Sequence, residues 1–173
     1  MALRVGIAGY GLAGRYFHAP LLKGCGFDVV GIQTSNAERK SHALADFPST
    51  KVVTTVEELV ALGLDLVVVA SANVAHAHDA YLAIDAGIPV VVDKPMGRNL
   101  TETLEILKAS DETRVPVTAF YNRLFDSDSL TIKRVIQDNE IGTVFRIDSR
   151  FERYRPDLTN QSWREQSSAE EGG

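Results

Sequence analysis

An α/β chain with a doubly wound, mostly parallel sheet is predicted by three observations. Strand and helix signals alternate at short intervals through residues 3–120. The strand signals are continuous Val/Ile runs such as DLVVVA at 65–70, rather than strict alternation, which suits strands covered on both faces. The first strand also runs straight into three glycines, Gly9, Gly11 and Gly14, with the spacing G-x-G-x-x-G.

In chain order, residues 3–8 are expected as a buried strand and 13–23 as a helix that Pro20 kinks or ends. A strand at 27–33 and a helix at 36–46 follow, then a short strand at 52–53. Thr55 caps the next helix, with Glu58 three residues on completing a capping box. After the strand at 65–70, Asn73 is expected to cap a helix through Ala86 that Gly87 ends. A strand at 88–92 leads to a second capping box, Asn99 with Glu102, before the helix around Leu104 and Leu107. A strand at 115–120 closes the series.

The character changes after Phe120. A helix at 128–138 precedes EIGTVFRIDSRFERY at 140–154, which alternates as a strand does. The tail QSSAEEGG is polar. This predicts a nucleotide-binding domain over 1–121 and, over 122–173, the incomplete beginning of a second domain. The cut edge around Val144, Phe145, Ile147 and Phe151 would invite pairing with a second copy, unless the tail from Pro156 folds back as cover. Trp163 would lose its packing surface with the missing part.

The chain has 173 residues, 45% hydrophobic and 24% charged, enough to bury a core without cross-links. A net charge of −5 and the absence of a Lys/Arg block argue against nucleic acid as a partner. One cysteine and four histidines allow no intrachain disulfide and argue against a metal site. No apolar run reaches membrane-spanning length, and no signal-peptide pattern opens the chain, so a cytoplasmic setting is expected.

The glycine motif sits where chemistry can use it, because it follows a strand and opens a helix. Gly9 permits the tight turn, Gly11 lets backbone approach a pyrophosphate, and Gly14 lets the helix pack near the strand. The backbone of Leu12 and Ala13 begins the helix and offers free N–H groups to phosphates. A turn that merely tolerates glycine is the alternative. A Rossmann-type dinucleotide fold is the expectation.

Cofactor choice should be set at the end of the second strand. About 20 residues past the third glycine, an NAD site commonly carries an acid for the ribose hydroxyls; here stands Thr34, in QTSNAERK. Thr34, Ser35 and Asn36 can donate to a 2′-phosphate, and Arg39 or Lys40 can pair with it. NADP is therefore expected, with NAD as second choice. The alternative is that Arg39 and Lys40 form a solvated helix face.

Three further stretches carry a resemblance: SANVAH at 71–76, VVVDKP at 90–95 and AFYNRLFD at 119–126. With GYGLAGRYFHAPLL, they resemble the Gfo/Idh/MocA oxidoreductases, the family of glucose-fructose oxidoreductase and inositol dehydrogenase. The resemblance implies an N-terminal Rossmann domain for NAD or NADP and a C-terminal domain for a sugar, polyol or related substrate. It places Ser71, Asn73 and His76 on the nicotinamide side of the cleft. It places Lys94, from the family's Glu-Lys-Pro motif, against cofactor and substrate as the catalytic residue. It puts Asn122 and Arg123 by the nicotinamide ribose or carboxamide.

Two departures stand out. Asp93 replaces the family's Glu, and Ala72 stands where proline is common. The family's catalytic Asp and His follow a glycine run, and this chain is expected to stop within that run, at 170–173.

Lys94 ends a strand on the carboxyl edge, where open α/β sheets bind ligands. Its ammonium can hydrogen-bond a substrate hydroxyl as hydride leaves the carbon; the alternative is a lysine that only pairs with Asp93. His76 and His78 lie about 200° apart on a helix and cannot easily share a metal. His18 can approach the cofactor or simply pack. A non-catalytic dinucleotide-binding module is the rival to an enzyme.

Overall fold

Six short apolar runs become strands: β1 (Arg4–Ala8), β2 (Asp28–Gln33), β3 (Lys51–Val53), β4 (Leu66–Val69), β5 (Val90–Asp93) and β6 (Val117–Phe120). All neighbouring pairs are parallel, and the spatial order is β3-β2-β1-β4-β5-β6. This is the doubly wound Rossmann order, with its switch point between β1 and β4. The computed structural model describes residues 2–152 and 154. Trp163, the tail from Pro156 and the run at 170–173 lie outside the described residues.

The pleat sends alternate residues to opposite faces, and two apolar clusters result. Val67 and Val69 of β4 join Val90 and Val92 of β5 in one cluster. Val68 joins Val5, Ile7, Val29 and Ile32 in the other. The first cluster is covered by α3 (Val56–Val60), α4 (His76–Asp85) and α5 (Leu100–Thr113), through Leu59, Ala80, Ala83, Ile84 and Ile106. The second is covered by α1 (Ala19–Gly24) and α2 (Ala37–Asp46), through Ala19, Leu22 and Ala43. Continuous valine runs are thus buried on both sides, as their lack of alternation implies.

The helix expected at 13–23 forms, with a π turn at Gly14–His18 before α1. Ala19 N–H bonds to the Gly14 carbonyl, five residues back. Pro20 follows directly, and the widened turn absorbs a residue that has no N–H and would crowd the carbonyl four before it. The Thr55–Glu58 capping box forms in full. The second box forms by half: Asn99 Oδ1 accepts from Glu102 N–H, but the Glu102 carboxylate accepts from Arg98 N–H and its guanidinium.

Two expectations need correction. Asn73 caps nothing, because a 3₁₀ turn at Asn73–Ala75 intervenes and α4 starts at His76 with no side-chain cap. The strand expected over 140–154 is absent among the described residues. A strand is held by ladder hydrogen bonds to a neighbour, and no described segment pairs with this one.

The chain divides into two compact units after Phe120. In the second, a 3₁₀ turn at Asn122–Phe125 leads into α6 (Ser127–Gln137). Arg123 pairs with Asp126 at 2.7 Å and lies over the Phe151 ring. Phe125, Phe145, Ile147 and Phe151 are all exposed.

Candidate functional site

The carboxyl edge of the sheet carries the loops that hold nearly every residue singled out in the sequence. At the end of β1, Gly9 adopts φ +91°, where a side chain is strained. A Cβ there would come within 2.6 Å of Ser71 backbone, so only glycine lets this loop lie against the loop after β4. A Cβ on Gly14 would collide with the Gly9 carbonyl. Gly11 is different: a Cβ built there meets only the end of the Arg39 side chain, in ordinary contact with Cζ at 3.7 Å. Gly9 and Gly14 are therefore needed by the fold itself, whereas the fold would admit a Cβ at Gly11. Helical structure begins at residue 12, and the first-turn N–H groups around Leu12 and Ala13 have no helical partners.

Arg39 brings α2 to this loop. It helps line a pocket of about 210 Å³ with Gly11, Leu12, Arg15, Glu38 and His42. Asn36 caps α2 by accepting from Arg39 N–H at 2.9 Å. Thr34 is buried, and its hydroxyl accepts from Asn36 N–H; Ser35 is exposed. The Gln33 amide donates to the Thr54 carbonyl.

A network that the sequence did not announce ties the helix after the glycines to α2. Asp46 accepts from Tyr10 Oη at 3.0 Å and from Arg15 Nε at 2.8 Å. The Arg15 bond holds the Asp46 carboxyl below the usual aspartate range. Burial, reinforced by the Asp46 bond, pushes the Tyr10 phenol well above its ordinary value. Asp46 lies 36 residues from Tyr10 and 31 from Arg15, so only the fold assembles the network.

The loops after β4 and β5 are fastened together by His76. It is 1% exposed, with Nδ1 2.7 Å from the Pro95 carbonyl and Nε2 3.2 Å from the Ser71 carbonyl. His76 thus positions both loops from beneath and offers no open face to a cleft. His78 points outward, 69% exposed. Ser71 donates to the buried Asp79 at 2.6 Å, a partner no spacing rule suggested. Asn73 is half-buried, and its carboxamide is not engaged in a cap.

At the end of β5, Asp93 Oδ1 accepts from Lys94 N–H at 2.9 Å. The carboxylate fixes the Lys94 backbone, while the Lys94 side chain is exposed and its ammonium forms no ion pair with Asp93. The Lys94–Pro95 peptide is cis. His18 lies beside Asp93, buried. Asn122 and Arg123 belong to the second unit. Among the described residues no group of His, Cys, Asp and Glu is placed to hold a metal ion, and no helix is long and apolar enough to cross a membrane.

The loops after β2, β1, β4 and β5 follow one another along the edge. Strands lie about 4.8 Å apart, so the ends of β2 and β5 are on the order of 14 Å apart. This edge is a shelf with a guanidinium at one end, bare backbone N–H groups in the middle and an ammonium at the other end.

A family model described as "Oxidoreductase family, NAD-binding Rossmann fold", that of the Gfo/Idh/MocA proteins, matches residues 3–121. Among curated relatives, scyllo-inositol 2-dehydrogenase (NADP(+)) IolW of Bacillus subtilis is 34% identical over 172 residues, covering 98% of this chain and 47% of that protein. The solved structure of YPO2259 from Yersinia pestis is 38% identical, with a TM-score of 0.86, covering 95% of this chain and 47% of that one. A scyllo-inositol dehydrogenase from Lactobacillus casei, solved with bound NAD(H) and scyllo-inositol, shares the fold at 18% identity, with a TM-score of 0.75 over 82% of this chain and 43% of that one. The chain spans about half the length of the curated relatives it matches.

Proposed function

The chain belongs to the Gfo/Idh/MocA oxidoreductases, and from that premise we propose that its carboxyl edge binds NADP for hydride exchange with a sugar, polyol or related substrate. The observation that carries the proposal is Gly11, a glycine that the fold does not require and that faces the Arg39 guanidinium, where Gly9 and Gly14 are closed by backbone. Gly9, Gly11 and Gly14, with the N–H groups of Leu12 and Ala13, would hold the pyrophosphate at the positive end of the helix. Arg39, reaching over Gly11, would pair with a 2′-phosphate, with Ser35 and the Thr34 and Asn36 turn beside it. The missing carboxylate at Thr34 supports NADP, as does the NADP named for IolW.

The nicotinamide end would lie along the loops of Ser71, Asn73 and Lys94, which His76 holds together. A nicotinamide held there would supply the hydride-transfer chemistry. The chain's own part is position and charge. The Lys94 ammonium would hydrogen-bond the oxygen on the reacting carbon, steadying charge as the proton moves. Asp93 fixes the Lys94 backbone and leaves that ammonium available. Asn122 and Arg123 would add contacts to the nicotinamide ribose or carboxamide. Residues 1–121 would form the cofactor domain, and 122–173 the beginning of a substrate domain that a second copy can pair with. The inositol named for IolW supports a polyol as the substrate class.

Isothermal titration of NADPH and NADH into the 173-residue chain tests the proposal. Binding of both, with NADPH tighter, is expected. No heat from either cofactor in folded protein would overturn it.

A further inference from the structure

His18 is a buried ionisable side chain at this edge that the proposed chemistry does not use. It closes the π turn and is 4% exposed. Its ring packs on Phe120, the last residue of β6, with centroids 4.4 Å apart. Its Nε2 is buried and has no hydrogen-bond partner. A buried nitrogen in that condition carries a desolvation cost, and a structure that retains it calls for an explanation. The nearest charged group is Asp93 at the end of β5, with Oδ1 4.0 Å from Nε2. That same oxygen accepts the Lys94 N–H. Burial pulls the imidazole below its ordinary pKa, against the pull of Asp93, so the neutral ring with one N–H to donate is favoured.

We propose that His18 is a positioning residue for Lys94, acting through Asp93. The imidazole, fixed by Phe120 and by the π turn, limits how the Asp93 carboxylate can turn. The carboxylate in turn fixes the Lys94 backbone at the nicotinamide end of the shelf. The inference rests on the cofactor orientation proposed above. The 4.0 Å gap is longer than a hydrogen bond, so His18 acts on the carboxylate across a short polar gap.

Two substitutions separate the nitrogen from the ring. His18→Phe retains a ring for Phe120 and loses the donor, whereas His18→Gln retains an N–H donor at about the reach of Nε2. The first measurement needs no ligand: amide exchange at Lys94, with the Ile7 amide of β1 as a monitor of global stability. His18→Phe should lower Lys94 protection about tenfold at unchanged Ile7 protection, and His18→Gln should restore it. The second compares NADPH with 2′,5′-ADP, which lacks the nicotinamide half. His18→Phe should weaken NADPH about five- to tenfold and leave 2′,5′-ADP unaltered, with His18→Gln close to wild type. Unchanged Lys94 exchange in His18→Phe would overturn the inference. So would parallel loss at Lys94 and Ile7, or equal loss of both ligands, because either means that the ring only packs. A wild type that binds neither ligand would defeat the cofactor proposal, and Lys94 exchange would still decide the role of His18.

Discussion

Single side chains set the selectivity of the proposed shelf. Arg39 lies against Gly11 with no carboxylate at Thr34 to oppose a phosphate. Arg39→Ala should weaken NADPH about tenfold or more and leave NADH nearly unaffected, as read by calorimetry. Thr34→Asp should reverse the cofactor order; a wild type that clearly prefers NADH would show that the loop after β2 does not discriminate as argued. Asp46 supports a different prediction, on stability. Its folded pKa lies below the ordinary 3.8 because Arg15 bonds it. Its contribution is therefore full above that ordinary value and is lost as pH falls through the folded one. Asp46→Asn should cost about 1 kcal/mol at pH 7, discounted for its partial exposure. The gap to wild type in urea unfolding should close as pH drops below 3.8. A gap constant with pH would mean that Asp46 acts through packing alone. At this scale the motifs named loops that share one edge of the sheet, those of Gly9, Ser71 and Lys94. They could not name Asp46, Asp79 or the burial of His76, whose partners are set by packing between elements distant in sequence.

Elements were legible where a local signal decides them. The Thr55–Glu58 box needs only four consecutive residues and forms as its sequence pattern says. Thr55→Ala should lower stability by about 1 kcal/mol in a thermal or urea melt, and no change would mean that α3 is held by Leu59 packing alone. Asn73 misled because the same residue type caps an α-helix or begins a 3₁₀ turn, and here the turn precedes the helix. The alternation over 140–154 misled for a non-local reason, since periodicity marks a chain able to be a strand and only a neighbouring strand makes it one. The π turn before Pro20 was foreseen only as a kink.

The whole molecule joins a well-covered sheet to a second unit that leaves Phe125, Phe145, Ile147 and Phe151 exposed. Exposed apolar groups in that number favour association. Light scattering should therefore find species larger than a monomer, and a clean monomer at high concentration would contradict this. NADP⁺ reduction across a panel of sugars, inositols and polyols should stay below detection for this chain. It spans about half of its relatives' length, and losing a positioned acid–base partner for Lys94 typically costs about 10²–10⁴-fold. Robust turnover would mean that Lys94 finds its proton partner within these 173 residues. The most direct test of the central claim is NADPH titration of Gly11→Val beside wild type. A Cβ at Gly11 meets no backbone in the fold, only the end of the flexible Arg39 side chain at 3.7 Å. The melting temperature should hold, while NADPH affinity falls about 100-fold or more as the side chain enters the pyrophosphate path. A folded Gly11→Val protein that binds NADPH as wild type does would contradict the claim that the dinucleotide lies on this loop.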